Sequence, residues 1–198
     1  NTLGASNMFW LWGQFIDHDI TLTKTATEDF NIPVPTGDVF FDPDSTGTKT
    51  IPMKRSEFVD GTGDLIREQL NQMTPVLDGT AIYGTNVERN TFLRTFKRGL
   101  LKLGEGCLLP CNDGTITNAG TGTGTLFVAG DERVNEHAGL SSIHTIFVRE
   151  HNYWATKIYN SSPDLCDEKI YQKARIMVEA EYQAITYNEF LPFLLGAD

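Results

Sequence analysis

No stretch of this chain reaches the ~18 consecutive apolar residues that a membrane-spanning helix needs, although 40% of its 198 residues are hydrophobic. Basic residues are few. Sixteen Lys and Arg against 26 Asp and Glu leave a net charge of −10, so the basic patch that nucleic-acid binding requires is lacking. The acidity is scattered along the chain and serves solubility more than a particular partner. Cysteine is scarce too. Cys107, Cys111 and Cys166 form neither a dense disulfide framework nor a structural zinc spacing. A Cys107–Cys111 pair across a loop stays open, and the odd count leaves the redox compartment undecided. The opening N-T-L-G-A-S-N-M-F-W has no basic n-region and no cleavage pattern, so no signal peptide is read here. There is no internal repeat.

What is present reads as mainly α, with long irregular loops and little sheet. Residues 6–22 carry aromatic and aliphatic positions at helical spacing. Residues 24–52 hold Pro33, Pro35, Pro43 and Pro52 with two glycines and read as an irregular excursion. Within it D-P-D-S-T-G-T-K-T-I-P-M (42–53) begins like an EF-hand loop. Its twelfth position is Met53 where a bidentate Glu is needed, so a plain turn-rich loop is expected. Short helices are expected over 64–72 and 86–97, and another loop over 104–125. That loop ends in G-T-G-T-G-T, which lacks the G-K-[ST] of a phosphate loop. Two longer helical stripes follow: Leu140, Ile143, Phe147, Trp154 and Ile158, then Ile170, Ala174, Met177, Val178 and Ile185. The chain reads as cut from a longer protein at both ends.

Three segments concentrate the chemistry. In W-G-Q-F-I-D-H-D-I (12–20), an apolar helix carries Asp17, His18 and Asp19 side by side, which is costly unless each finds a partner or a metal. At about 100° per residue, Gln14 and His18 share one face with Asp17 beside them, while Asp19 points the other way. One helical turn can thus serve two sites. T-P-V-L-D-G-T (74–80) offers Thr74, the Val76 carbonyl, Asp78 and Thr80, an oxygen-only set suited to a hard cation such as calcium, with Asp19 as the second carboxylate. In A-G-D-E-R-V-N-E-H-A-G-L (129–140), Arg133, Glu136 and His137 share a face if the segment is helical. Taken singly, each motif has a bland reading: a capped core helix, an Asp-Gly turn, a solvated ion pair.

Together they resemble the peroxidase–cyclooxygenase superfamily of haem enzymes, the animal-type haem peroxidases. The resemblance rests on five ordered blocks: 12–20, 73–84 (M-T-P-V-L-D-G-T-A-I-Y-G), 129–136 (A-G-D-E-R-V-N-E), 144–152 (H-T-I-F-V-R-E-H-N) and 185–196 (I-T-Y-N-E-F-L-P-F-L-L-G). It covers essentially the whole chain, and F-N-I-P-V-P-T-G-D is closer to bacterial and invertebrate members. It implies that residues 1–198 are part of one haem peroxidase catalytic domain, the distal half of that fold, acting on hydrogen peroxide and small electron donors. By the same resemblance His18 matches the distal base, Gln14 the distal glutamine and Arg133 the distal arginine. Asp17 and Glu136 match the carboxylates that ester-link haem b. Asp19, Thr74, Val76, Asp78 and Thr80 match a calcium site, and secretion is the implied location.

Two departures qualify the match. His137 stands where myeloperoxidase has a methionine bonded to a haem vinyl group, so two ester links at most are expected. Bromide, iodide, thiocyanate or phenols are then better donors than chloride. The family's proximal histidine, the fifth iron ligand, has no counterpart here and is expected beyond Asp198. His144, Arg149, Glu150 and His151 are read as structural, and Asn160–Ser161–Ser162 as a glycosylation sequon. Competing readings are a fatty-acid dioxygenase-like member, which generally lacks the carboxylate pair, a non-catalytic calcium-stabilised module, and a metallohydrolase lacking a second histidine at ligand spacing.

Overall fold

The computed structural model describes residues 4–61, 66–120 and 126–196. It is mainly helical, and the chain divides into two compact units, residues 1–21 with 73–198, and residues 22–72.

The first unit opens with α1 (Asn7–Ile20), which starts where Ser6 accepts a hydrogen bond from the Met8 N–H at 3.3 Å. That bond satisfies one of the free donors every helix start exposes. Leu11, Trp12, Phe15, His18 and Asp19 form its buried stripe. A single buried turn, α2 (Thr80–Tyr83), and a short α3 (Val87–Leu93) follow. The long pair α4 (Ala138–Ser161) and α5 (Asp167–Ile185) then pack on each other. A π turn (Thr186–Phe190) joins α5 to α6 (Leu191–Leu195).

Aromatic rings hold α1 against α4 and α5. Trp12, Phe15, Phe147 and Tyr182 lie with centroids 5.3 to 5.9 Å apart. Phe15 is fully buried, worth about 1.5–3 kcal/mol of transfer. The Tyr182 hydroxyl donates to the Phe15 carbonyl at 3.2 Å and the Trp12 indole N–H to Thr186 Oγ1 at 3.3 Å, so both polar groups of the cluster are satisfied. This packing fixes the rotation of α1 and with it the direction of every side chain in its last turn.

The second unit is richer in extended pairing than its sequence suggested. β1 (Thr25–Asp29) pairs antiparallel with β4 (Lys54–Ser56), and β2 (Ile32–Pro33) with β3 (Thr50–Ile51). The turn expected over 42–53 is present: buried Asp42 accepts from the Gly37, Thr46 and Gly47 N–H groups and from the Thr46 hydroxyl.

Four expectations need correction. Residues 66–72 are not helical; Gln69 bridges to Phe58 and Asn71 to Thr23, so tertiary pairing overrides the helix propensity of I-R-E-Q-L-N-Q. The 86–97 helix stops at Leu93, because Phe96, Arg98 and Gly99 adopt left-handed backbone and Arg94 bridges to Leu101. The 129–140 segment is a turn up to Glu136, and helix begins only at Ala138. All three cysteines are free and exposed, so Cys107 and Cys111 do not pair. The G-T-G-T-G-T tract lies outside the described residues after Gly120.

Candidate functional site

The last turn of α1 projects to two sides, as its 100° step requires. On one side stand Gln14, His18 and Asp17. His18 is buried, with Nδ1 3.6 Å from Asp131 Oδ1 and Nε2 3.9 Å from Glu136 Oε2. Burial first, and the Arg133 charge second, hold its pKa below the usual histidine value, against the opposing pull of Asp131, Glu136 and Asp17. The imidazole is therefore neutral near pH 7 and can accept a proton. Asp17 is exposed on the same turn, and the Glu136 side chain is 46% exposed.

Arg133 reaches this turn without a helix beneath it. Its backbone N–H donates to Asp131 Oδ1 at 2.8 Å, an Asx turn that brings the two side chains together. The guanidinium then binds Asp131 through Nε (2.9 Å) and Nη2 (2.8 Å). Nη2 also donates to the carbonyls of His18 (3.1 Å) and Thr21 (2.9 Å), groups a helix C-terminus leaves without internal partners. A fixed cation thus sits at the negative end of α1. The shared helical face proposed for Arg133, Glu136 and His137 is not how they meet. The turn does it, with the Glu136 N–H bonded to the Arg133 carbonyl at 3.0 Å.

Gln14 ties the two segments together. Its Nε2 donates to Glu136 Oε2 at 2.7 Å, and its Oε1 lies 2.8 Å from His137 Nε2. The imidazole, the guanidinium and two carboxylates thus converge on one side of α1. Two exposed carboxylates flanking a buried neutral imidazole fit a flat prosthetic group anchored through its edges.

On the other side, Asp19 is fully buried. Its oxygens accept from the Gly79 (3.2 Å) and Ala81 (2.7 Å) N–H groups. Thr74 Oγ1 lies 3.4 Å from the Val76 carbonyl, 2.9 Å from Asp78 Oδ1 and 2.9 Å from Thr80 Oγ1. Thr80 Oγ1 also contacts Asp78 Oδ1. Burial, and then the nearby Asp78 charge, push the Asp19 carboxyl up to about 7. A second charge held so close is unfavourable unless a cation joins it. Oxygen donors converging in this way fit a hard cation such as calcium. From α5, Arg175 donates to the Asp78 carbonyl (3.1 Å) and Gln183 to the Leu77 carbonyl (2.8 Å), bracing the loop.

His144 and His151, read from the sequence as packing and hydrogen-bonding residues, are both fully buried. His151 bonds the Tyr83 hydroxyl (3.0 Å) and the Gly99 carbonyl (2.8 Å). His144 packs edge-on against Phe15, centroids 4.8 Å apart, and its ring nitrogens have no partner among the described residues. Sequence reasoning missed Asp131, which holds Arg133 and faces His18. The signal was there, an Asp two residues before the Arg, the spacing of an Asx turn.

The animal haem peroxidase family model matches residues 2–198. Over its whole length the chain is 35% identical to Dual oxidase 1 of Caenorhabditis elegans, of which it covers 14%. Peroxidase A from Dictyostelium discoideum superposes with a TM-score of 0.84 at 32% identity, over 93% of this chain and 40% of that one. Oryza sativa fatty acid alpha-dioxygenase follows at 0.75 and 27% identity, over 95% and 28%. This chain belongs to the animal haem peroxidase family, and it spans well under half the length of these relatives.

Proposed function

We propose that this chain carries the distal half of a haem peroxidase site, which reduces hydrogen peroxide and oxidises small donors such as bromide, iodide, thiocyanate or phenols. The observation that carries the reading is His18: a buried imidazole, neutral near pH 7, beside a guanidinium that two hydrogen bonds to Asp131 and two carbonyls at the end of α1 hold in place. Haem b, when bound, supplies the iron at which the O–O bond is cleaved. His18 Nε2 takes the proton from the peroxide and hands it to the departing oxygen. Arg133 stabilises the negative charge that develops there. Gln14 hydrogen-bonds water or donor within the pocket. Asp17 and Glu136, both exposed, would hold the haem through ester links.

Calcium held by Asp19, Thr74, the Val76 carbonyl, Asp78 and Thr80 would fix the back of the same helical turn, so metal and base share one scaffold. The whole chain is read as part of one catalytic domain of a secreted enzyme. None of the other three histidines is assigned to the iron in this reading: His137 caps α4, and His144 and His151 are buried. The likeness to the rice enzyme supports a second reading, a fatty-acid dioxygenase, which oxygen uptake with a fatty acid would reveal.

The test is His18→Ala in the haem-loaded protein. The reaction with peroxide is expected to slow by about 10²–10⁴-fold while haem uptake persists, and unchanged kinetics would remove His18 from this role.

A further inference from the structure

Helix α4 begins at a histidine cap. His137 has extended backbone (φ −159°, ψ 164°), and its Nδ1 receives the Leu140 N–H at 3.2 Å. A backbone N–H only donates, so Nδ1 is an acceptor and the proton of the neutral ring lies on Nε2. Nε2 therefore donates to Gln14 Oε1, 2.8 Å away. The opposite end of that amide donates to Glu136 Oε2 at 2.7 Å.

The three bonds run in one direction, from the helix cap to the carboxylate. Turning the Gln14 amide over would set its oxygen against the carboxylate and its NH₂ against the imidazole N–H, replacing two bonds by two repulsions. Trp10 packs on the His137 ring with centroids 5.3 Å apart and restrains its rotation. Glu136 Oε1 has no partner among the described residues, so the relay occupies one carboxylate oxygen and leaves the other free.

We propose that His137 is a positioning residue: through Gln14 it fixes which way the amide faces and holds Glu136 with Oε1 unengaged. The role rests on the haem-site reading above, in which Gln14 and Glu136 face the cofactor. A thioether or aliphatic side chain at this position supplies neither the cap nor the N–H that orients the amide. The sequence departure at His137 is thereby a change of device, a hydrogen-bonded clamp on the ester-forming glutamate.

The test separates the clamp from a mere cap. Asn is a strong N-cap, but its side chain ends near where the imidazole Nδ1 lies, short of Gln14. In ¹⁵N-labelled protein, His137 is expected as the Nε2–H tautomer, and His137→Asn is expected to shift the Gln14 side-chain amide resonances. Their exchange with water should quicken about tenfold, as for loss of one good hydrogen bond, with the melting temperature lowered by no more than about 2–4 °C. Gln14→Leu reads the relay from its other end with the cap intact, and the His137 Nε2 resonance should move.

Gln14 signals that stay put in His137→Asn, or a His137 proton found on Nδ1, would overturn the proposal whether or not haem binds. In haem-loaded protein, the yield of the Glu136 link should fall in His137→Asn relative to the Asp17 link, read by mass spectrometry of haem peptides. An unchanged ratio would also overturn it. Failure to take up haem even when the fifth iron ligand is supplied would refute the functional reading and leave the resonance test standing.

Discussion

Gly130 lies where the two halves of the candidate site meet, and replacing it by alanine has a consequence that follows from distances alone. A Cβ at this position would lie 2.5 Å from Gly84 N, from the Ile82 carbonyl carbon and from Thr80 O. Comfortable contacts begin near ~3.5 Å, so each atom would have to retreat by roughly 1 Å. None is the tip of a side chain. All three belong to the backbone of α2 and its C-terminal cap, where Ala81, Ile82 and Tyr83 are fully buried. Overpacking costs about 1–3 kcal/mol when neighbours can shift, and backbone on several sides places Gly130→Ala at the top of that range. Loss of the bond from the Asp131 N–H to the Ala81 carbonyl (2.9 Å) would add about 1 kcal/mol. Backbone strain does not contribute, since Gly130 is not among the glycines with positive φ.

The expected destabilisation is thus about 3–4 kcal/mol, read as a lowered denaturant midpoint at unchanged slope in far-UV circular dichroism. Gly13→Ala is the control: its Cβ would meet only the Phe190 ring, at 3.4 and 3.7 Å. Inside α1 that change should stabilise by about 0.5–1 kcal/mol. Should Gly130→Ala fall within about 0.5 kcal/mol of the parent, the range of an ordinary surface change, the close approach of 130 to 80–84 would be refuted. The turn bearing Arg133 would then not be anchored on α2.

Further outcomes are as specific. With calcium at ~100 times its dissociation constant, chelation should lower stability by about 2.7 kcal/mol; Asp78→Ala should abolish that response, and a chelator-insensitive parent would remove the calcium assignment. Burial pushes the His144 pKa down to about 3 and that of His151 to about 4. The unfolded chain binds these protons below ~6.5 and the folded chain refuses them, so stability is complete above ~6.5 and falls as pH drops, by about 1.4 kcal/mol per pH unit for each histidine. His144→Leu removes a ring with no hydrogen bonds and should take its own share, up to about 1.4 kcal/mol per pH unit, out of that slope between pH 6.5 and 5, and an unaltered slope there would mean His144 protonates freely. Hydrogen bonds from the Thr46 hydroxyl and from backbone N–H groups hold the Asp42 carboxyl at about 2. Its contribution is present above ~3.9 and lost as pH falls towards 2, and Asp42→Asn should expose residues 36–48 to faster proteolysis near neutral pH.

The helices were legible where one physical rule was enough. Leu140, Ile143 and Phe147, and likewise Ile170, Ala174 and Val178, are buried because a 3.6-residue period fixes one face. Residues 66–72 were misread for the converse reason. Their composition favours helix, but their partners are Phe58 and Thr23, and no local pattern announces a pairing so distant in sequence. The premature end of α3 has the same character, since left-handed backbone at Phe96 and Arg98 violates residue preference for the sake of tertiary contacts.

At the site, direction was legible and connection was not. The 100° step of α1 placed Asp19 opposite Gln14 and His18, and the structure keeps them so. The meeting of Arg133 and Glu136 with that helix was expected for the wrong reason, a shared helical face, and it comes instead from an Asx turn on Asp131. A turn can do what a helix cannot. By leaving Asp131 to Glu136 non-helical, the chain aims Arg133 at the carbonyl end of α1 and Glu136 at Gln14, in directions that successive residues of a helix would not share. The sequence marks the turn only by its aspartate, and marks the start of α4 by a histidine whose two nitrogens face different partners. Residues that join elements carry their meaning in two places at once, and a reading that proceeds one segment at a time assigns them to neither.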